Sequence, residues 1–211
     1  MVELDPNGAI EKYEQATQLD PQNHQIFYKL AKAYKKKEAW DKAAATLARA
    51  TDLAPSFANY WFERGWALEQ QAEKTKNPSQ YEDAKEPYKK CIEHDPNKDE
   101  CYSRLGIAFL WTDDEQQALN NYTKAIEMRP DNIGYYTRLA DLYMRLGYDD
   151  ETEKVLNAAK EMANPKDKAL YDVHTLLSGV YRDRKDIDKM VAELEAAKSV
   201  SQEDAGLLFN L

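Results

Sequence analysis

The chain has 211 residues, 43% of them apolar and 32% charged, with a formal net charge of −9 and a mean hydropathy of −0.82. An acidic chain argues against a nucleic-acid binder, because that affinity rests on Lys and Arg neutralising phosphates. No run of about 18 apolar residues marks a membrane span, and two cysteines are too few for a disulfide framework or a zinc site.

Residues 7–21 read as one amphipathic helix, with Ala9, Ile10, Tyr13, Ala16 and Leu19 forming a single stripe. It closes at Asp20-Pro21, since the residue before a proline avoids the α region. Residues 24–55 form a helical pair. Phe27, Leu30, Ala31 and Tyr34 make the stripe of its first helix, and Ala43, Leu47 and Ala50 that of the second, which stops at Ala54-Pro55. Residues 58–96 form the next pair, but the step from Ala50 to its counterpart Cys91 is longer than the usual period. The extra residues fall within Gln71–Ser79, where polarity is highest. They predict helices extended by about one turn and a helix start at Asn77-Pro78. Pro87, inside the second helix, predicts a kink near Asp83–Pro87, because an interior proline costs ~3 kcal/mol in a straight helix.

Residues 99–130 and 133–165 repeat with a period of 34: Leu105 falls on Leu139, Phe109 on Tyr143 and Ala125 on Ala159. A fixed period of this size marks a repeat array. A longer step then precedes residues 167–202 and predicts an early helix start near Pro165–Lys168. Residues 204–211 read as the start of another helix. Residues 1–211 are thus expected to be one array, cut in mid-repeat at both ends and belonging to a longer protein. Cys91 and Cys101 occupy apolar positions on neighbouring helices and read first as small core residues, with a bond between them left open.

The motif residues resemble those of the tetratricopeptide-repeat family, whose unit runs W-x-x-L-G-x-x-Y, then A-x-x-x-F, then P. One copy reads Tyr102, Leu105, Gly106, Phe109, Ala118, Tyr122, Ala125, Pro130; another reads Phe27, Leu30, Ala31, Tyr34, Ala43, Leu47, Ala50, Pro55. The copy at Trp61 and Gly65 has Arg64 in place of the expected Leu, and the last departs most, with His174, Ser178 and Met190 at motif positions. The resemblance implies an all-α, right-handed superhelical solenoid of antiparallel helix pairs. It also implies that the first helices line a concave groove that binds peptides or proteins.

Catalytic patterns are missing from the chain. His24, His94 and His174 have no metal-ligand spacing, and there is no G-x-S-x-G and no phosphate-cradling glycine loop. Asp113-Asp114 and Asp149-Asp150 head second helices, where carboxylates complement the helix dipole. The expectation is no enzyme, no metal and no cofactor.

Subtracting the apolar stripe from each first helix leaves an inward face that also includes Lys35, Asn59 and Glu63, and from it the candidate groove residues are Tyr28, Lys32, Lys36, Phe62, Trp66, Arg104, Ile107, Leu110, Trp111, Arg138, Met144 and Arg145. A basic entrance leads to an apolar middle and then to arginines. That order suits a protein or peptide partner with apolar anchors and acidic flanks. The asparagines with which some family members clamp a chaperone's C-terminal carboxylate are missing: Tyr28, Lys32, Phe62, Glu63 and Arg104 stand there instead. Two other readings stay open, self-association through the apolar array ends and a recognition arm of a larger enzyme. The start of the chain lacks a leader, which makes the cytoplasm the default location.

Overall fold

The computed structural model describes residues 6–164 and 167–208, with side chains over 7–164 and 167–201. The described residues form eleven α-helices and one 3₁₀ turn, and no strand. The helices are α1 (Pro6–Leu19), α2 (His24–Lys36), α3 (Trp40–Leu53), α4 (Ala58–Thr75), α5 (Tyr81–His94), α6 (Asp99–Leu110), α7 (Glu115–Met128), α8 (Ile133–Arg145), α9 (Asp149–Met162), α10 (Leu170–Asp183) and α11 (Ile187–Leu208). No helix among them is long and apolar enough to cross a membrane. The chain divides into two compact units, Met1–Ala118 and Leu119–Leu211, with the division inside α7.

In the first unit each helix from α1 to α6 packs on the next. Its core joins Leu30, Ala31, Tyr34, Ala43, Ala44 and Leu47 of one pair to Ala67 of the following pair. In the second unit α8, α9, α10 and α11 pack in succession, and one cluster runs through Tyr136, Ala140, Leu156, Ala159, Val173, Leu177 and Tyr181. Each pair therefore buries its apolar face on its neighbour, as in repeat proteins generally.

Turns between pairs follow the prolines. Helices α1, α3, α5 and α7 end at Leu19, Leu53, His94 and Met128, each one residue short of the residue that precedes a proline. The aromatic that opens the next helix then ties back to that turn. Trp61 Nε1 donates to the Pro55 carbonyl (2.6 Å), Tyr102 Oη to Pro96 (3.3 Å) and Tyr136 Oη to Pro130 (3.1 Å).

Turns within pairs share a less visible device. Glu38, Lys76, Asp113, Gly147 and Lys185 all have positive φ, between 53° and 75°. The N–H one residue further on closes the motif: Ala39 donates to Tyr34 O (3.1 Å), Asn77 to Ala72 O (3.2 Å), Asp114 to Phe109 O (3.0 Å), Tyr148 to Tyr143 O (2.9 Å) and Asp186 to Tyr181 O (2.9 Å). This is the left-handed helix terminus that glycine normally supplies, yet glycine stands at one of the five.

Three sequence expectations change in detail. Only α4 is lengthened in the third pair, to 18 residues against 13 in α2, while α5 has the same 14 as α3. The remaining extra residues build the left-handed turn at Lys76 and the 3₁₀ turn Pro78–Gln80, capped by Asn77, whose side chain accepts from Ser79 N (3.2 Å). Pro87 lies inside α5, at the position its spacing gave it. The early start expected near Pro165–Lys168 falls partly outside the described residues, and the helix itself begins at Leu170. Finally, α11 continues through Leu208, where an end near residue 202 and a fresh start at 204 were expected.

Gly65 is where two helices come closest. A Cβ there would stand 2.7 Å from the ring of Tyr88, itself fully buried. Gly65→Ala is expected to destabilise the chain by about 1–3 kcal/mol in urea unfolding, since the ring has nowhere to yield. Asp113→Gly or Lys185→Gly is expected to stabilise by up to about 1 kcal/mol by removing the left-handed penalty. Ala45→Gly on the exposed face of α3 should cost about 1 kcal/mol.

Candidate functional site

The candidate surface in the first unit is carried by α2, α4 and α6. Its residues are knitted together more tightly than their spacing suggests. Tyr28 Oη accepts from Asn59 Nδ2 (3.0 Å), and Lys32 Nζ sits 5.8 Å from the centre of the Tyr28 ring. Lys35 is ion-paired with Glu63 and lies 4.0 Å over the ring of Trp66, which packs edge-to-face with Trp40, ring centres 5.2 Å apart. Phe62 is half-buried, with Lys98 Nζ 5.0 Å over its ring. A cation over an aromatic face contributes about 0.5–2 kcal/mol, more where water is excluded.

Beneath this surface lies a buried polar knot. Glu69 of α4 is almost fully buried, accepting from Tyr88 Oη of α5 (2.7 Å) and from Arg104 Nη1 of α6 (2.6 Å). Arg104 thus reaches inward to a carboxylate. Burial pushes the Glu69 carboxyl above its ordinary range, against the pull of Arg104 and the Tyr88 hydroxyl. Burial, followed by the adjacent Glu69 charge, drives the Tyr88 phenol well up. Sequence reading did not single out Glu69; its signal is a carboxylate one turn after Gly65, among small buried residues.

The other sequence-chosen residues are distributed as follows. Lys32 and Lys36 are exposed on α2, and Ile107 and Leu110 are half-buried on α6. Trp111, 43% exposed, lies against the tip of the third pair: it stacks on Tyr81 at 5.4 Å and lines a pocket of about 280 Å³ with Ala72, Glu73, Lys76, Asn77 and Pro78. Arg138, Met144 and Arg145 belong to α8 of the second unit, where the Met144 methyl lies beside Gly179. Lys35 and Glu63, which spacing places on the inward face, and Lys98, which it does not, complete the surface.

Groups elsewhere that could suggest chemistry are spoken for. His174 Nδ1 meets Glu193 Oε2 (2.5 Å), and Lys160 donates to the other oxygen of that carboxylate (2.9 Å). Ser178, one turn from His174, donates instead to the Thr175 carbonyl (2.7 Å). Asp114 accepts from Gln117 N (3.2 Å) as a helix cap, and Asp150 accepts from Arg184 (2.6 Å). Among the described residues no group of three or more His, Cys, Asp or Glu is placed to hold a metal ion.

Three family models agree with this architecture: one described as TPR repeat matches residues 5–38, and two described as tetratricopeptide repeat match 28–90 and 133–165. The chain belongs to the tetratricopeptide-repeat family. Such repeats support a role as a protein–protein interaction scaffold, and folds of this kind are generally non-enzymatic. The mitochondrial import receptor subunit TOM70 of Rattus norvegicus is 25% identical over 202 residues, covering 94% of this chain and 33% of the receptor, and that of Mus musculus gives the same figures. The chain spans about a third of the length of these relatives. Among solved structures, MamA superposes with a TM-score of 0.68 at 24% identity, covering 75% of this chain and 88% of that one. YrrB, described as a TPR protein with an unusual peptide-binding site, gives 0.65 at 17%, covering 91% and 93%. At these identities the structures speak for the fold alone.

The polar knot yields a pH prediction. A carboxyl whose folded pKa is raised keeps its proton longer in the folded chain than in the unfolded one. Its contribution is therefore fully present below the ordinary value of 4.5 and is lost as pH rises through the raised value. Urea unfolding of the parent and of Glu69→Gln between about pH 4 and 8 should show the parent losing stability relative to the variant as pH rises. A pH-independent difference would mean the carboxyl is not perturbed.

Proposed function

We propose that the chain is a non-enzymatic scaffold that holds a peptide or helix of a partner protein against α2, α4 and α6. The supporting observation is a run of half-buried apolar side chains, Phe62, Trp66 and Ile107, beside the exposed Lys32 and Lys36. Apolar anchors of the partner meet the aromatics, and acidic flanks meet the lysines. Arg138, Met144 and Arg145 on α8 are proposed as a further contact for the same class of partner. Trp111 is proposed as a separate anchor at the hairpin tip. The names of the similar proteins, an import receptor subunit and a TPR protein with a peptide-binding site, fit an array that engages polypeptide.

A second reading is self-association. It is favoured by Ile187, Val191 and Leu194, which lie at i, i+4 and i+7 on α11 and are all exposed. Light scattering over a concentration series separates the two readings, because a groove binder stays monomeric as concentration rises.

Selection of the full chain against a random peptide display library is expected to enrich sequences with apolar residues flanked by Asp or Glu. For an enriched peptide, Trp66→Ala should weaken binding by about 30-fold, the loss of a buried aromatic anchor. Lys32→Glu with Lys36→Glu should turn the selection toward basic flanks, while each lysine alone contributes at most about 1 kcal/mol. Unchanged enrichment across these variants would sink the proposal.

A further inference from the structure

Cys91 on α5 and Cys101 on α6 are joined by a disulfide, with a Cα–Cα distance of 6.3 Å, and both residues are 0% exposed. The bond crosses the joint between the third and fourth helix pairs. Repeat spacing identifies the matching positions at three other joints: Ala50 with Tyr60, Ala125 with Tyr135, and Ala159 with Val173. All six are buried, and the structure puts Ala50 and Tyr60 in one apolar cluster and Ala159 and Val173 in another. At those two joints, then, a small residue packs with a larger one. At this joint two cysteines replace that knob and hole, and the side chain opposite the small position is much smaller than tyrosine. Loss of apolar filling weakens a joint, and a covalent tie can stand in for it.

We propose that Cys91 and Cys101 are a thiol–disulfide modification site, oxidised by a disulfide-bearing exchange partner, and that the tie replaces the side-chain packing used at the Ala50–Tyr60 and Ala159–Val173 joints. One cysteine thiolate attacks the partner's disulfide, forming a mixed disulfide and releasing one partner sulfur as a thiolate. The second cysteine thiolate then attacks the cysteine sulfur of that mixed disulfide, closing the Cys91–Cys101 bond and releasing the other partner sulfur. The chain loses two electrons and two protons, and the partner leaves as a dithiol. Because neither sulfur is exposed, exchange requires the α5–α6 joint to open, so oxidation accompanies folding. Such bonds persist where the surroundings are oxidising.

The tie acts on the three helices that share the polar knot. Tyr88 lies one turn before Cys91 on α5, Arg104 one turn after Cys101 on α6, and both donate to Glu69 of α4. Reduction is therefore expected to loosen that region first.

The test uses the full chain equilibrated in an oxidising glutathione buffer, quenched, unfolded, alkylated and weighed. Two fewer alkyl groups than on dithiothreitol-reduced chain are expected, with a thermal midpoint higher by about 5 °C or more. The double variant Cys91→Ala, Cys101→Tyr copies the Ala50–Tyr60 joint and should fold with a midpoint that reductant does not move. Should the tyrosine fail to fit, Cys91→Ala with Cys101→Val copies the Ala159–Val173 joint and serves the same purpose. A glutathione-treated parent chain carrying two alkyl groups overturns the proposal, and so does a parent midpoint unaffected by reduction. Neither readout involves a peptide, so the outcome is independent of the binding surface.

Discussion

The contact of the Tyr88 ring with the bare backbone of Gly65 governs much of the first unit. With no Cβ in the way, α5 approaches α4 closely enough for the buried phenol to reach Glu69, one turn further along α4. Glu69 then accepts Arg104 from the next pair. A carboxylate taken out of water costs several kcal/mol unless its oxygens are partnered; here one oxygen takes the hydroxyl and the other the guanidinium. Close approach and charge satisfaction are thus one arrangement, and widening the helix spacing would break both.

This knot changes how the neighbouring surface is to be understood. Arg104 reads in the sequence as a groove charge available to a ligand, but its guanidinium is engaged with Glu69. Lys35 is similarly neutralised by Glu63 while lying over Trp66. The exposed positive charge chosen from the sequence on α2 is that of Lys32 and Lys36, with the half-buried aromatics of α4 beside it. A surface whose side chains are already held by one another loses less conformational entropy on binding than a set of free lysines would.

The third pair departs from its neighbours in three ways: a longer first helix, an added 3₁₀ turn and a covalent joint. The first two create the pocket at the hairpin tip, onto which Trp111 folds. The third replaces packing with a bond. A repeat array tolerates such local revision because each unit's stability depends chiefly on its nearest neighbours.

The all-α architecture and the family were legible because they rest on local signals, namely apolar periodicity and prolines that stop helices. Ala31, Leu47, Ala50, Leu105 and Leu139 are buried as their spacing predicts. The left-handed turns were not legible at Glu38, Lys76, Asp113 and Lys185, since none of these residues advertises positive φ; the five-residue closure imposed by two packed helices forces it. Nor could spacing reveal that Lys35 meets Glu63, that Arg104 meets Glu69 or that Cys91 bonds Cys101. Those partners lie 28, 35 and 10 residues apart on separate helices. Most helical segments and their apolar faces can be read from local periodicity and prolines. Which charges pair and which remain exposed cannot, because pairing depends on distances that close helix packing sets.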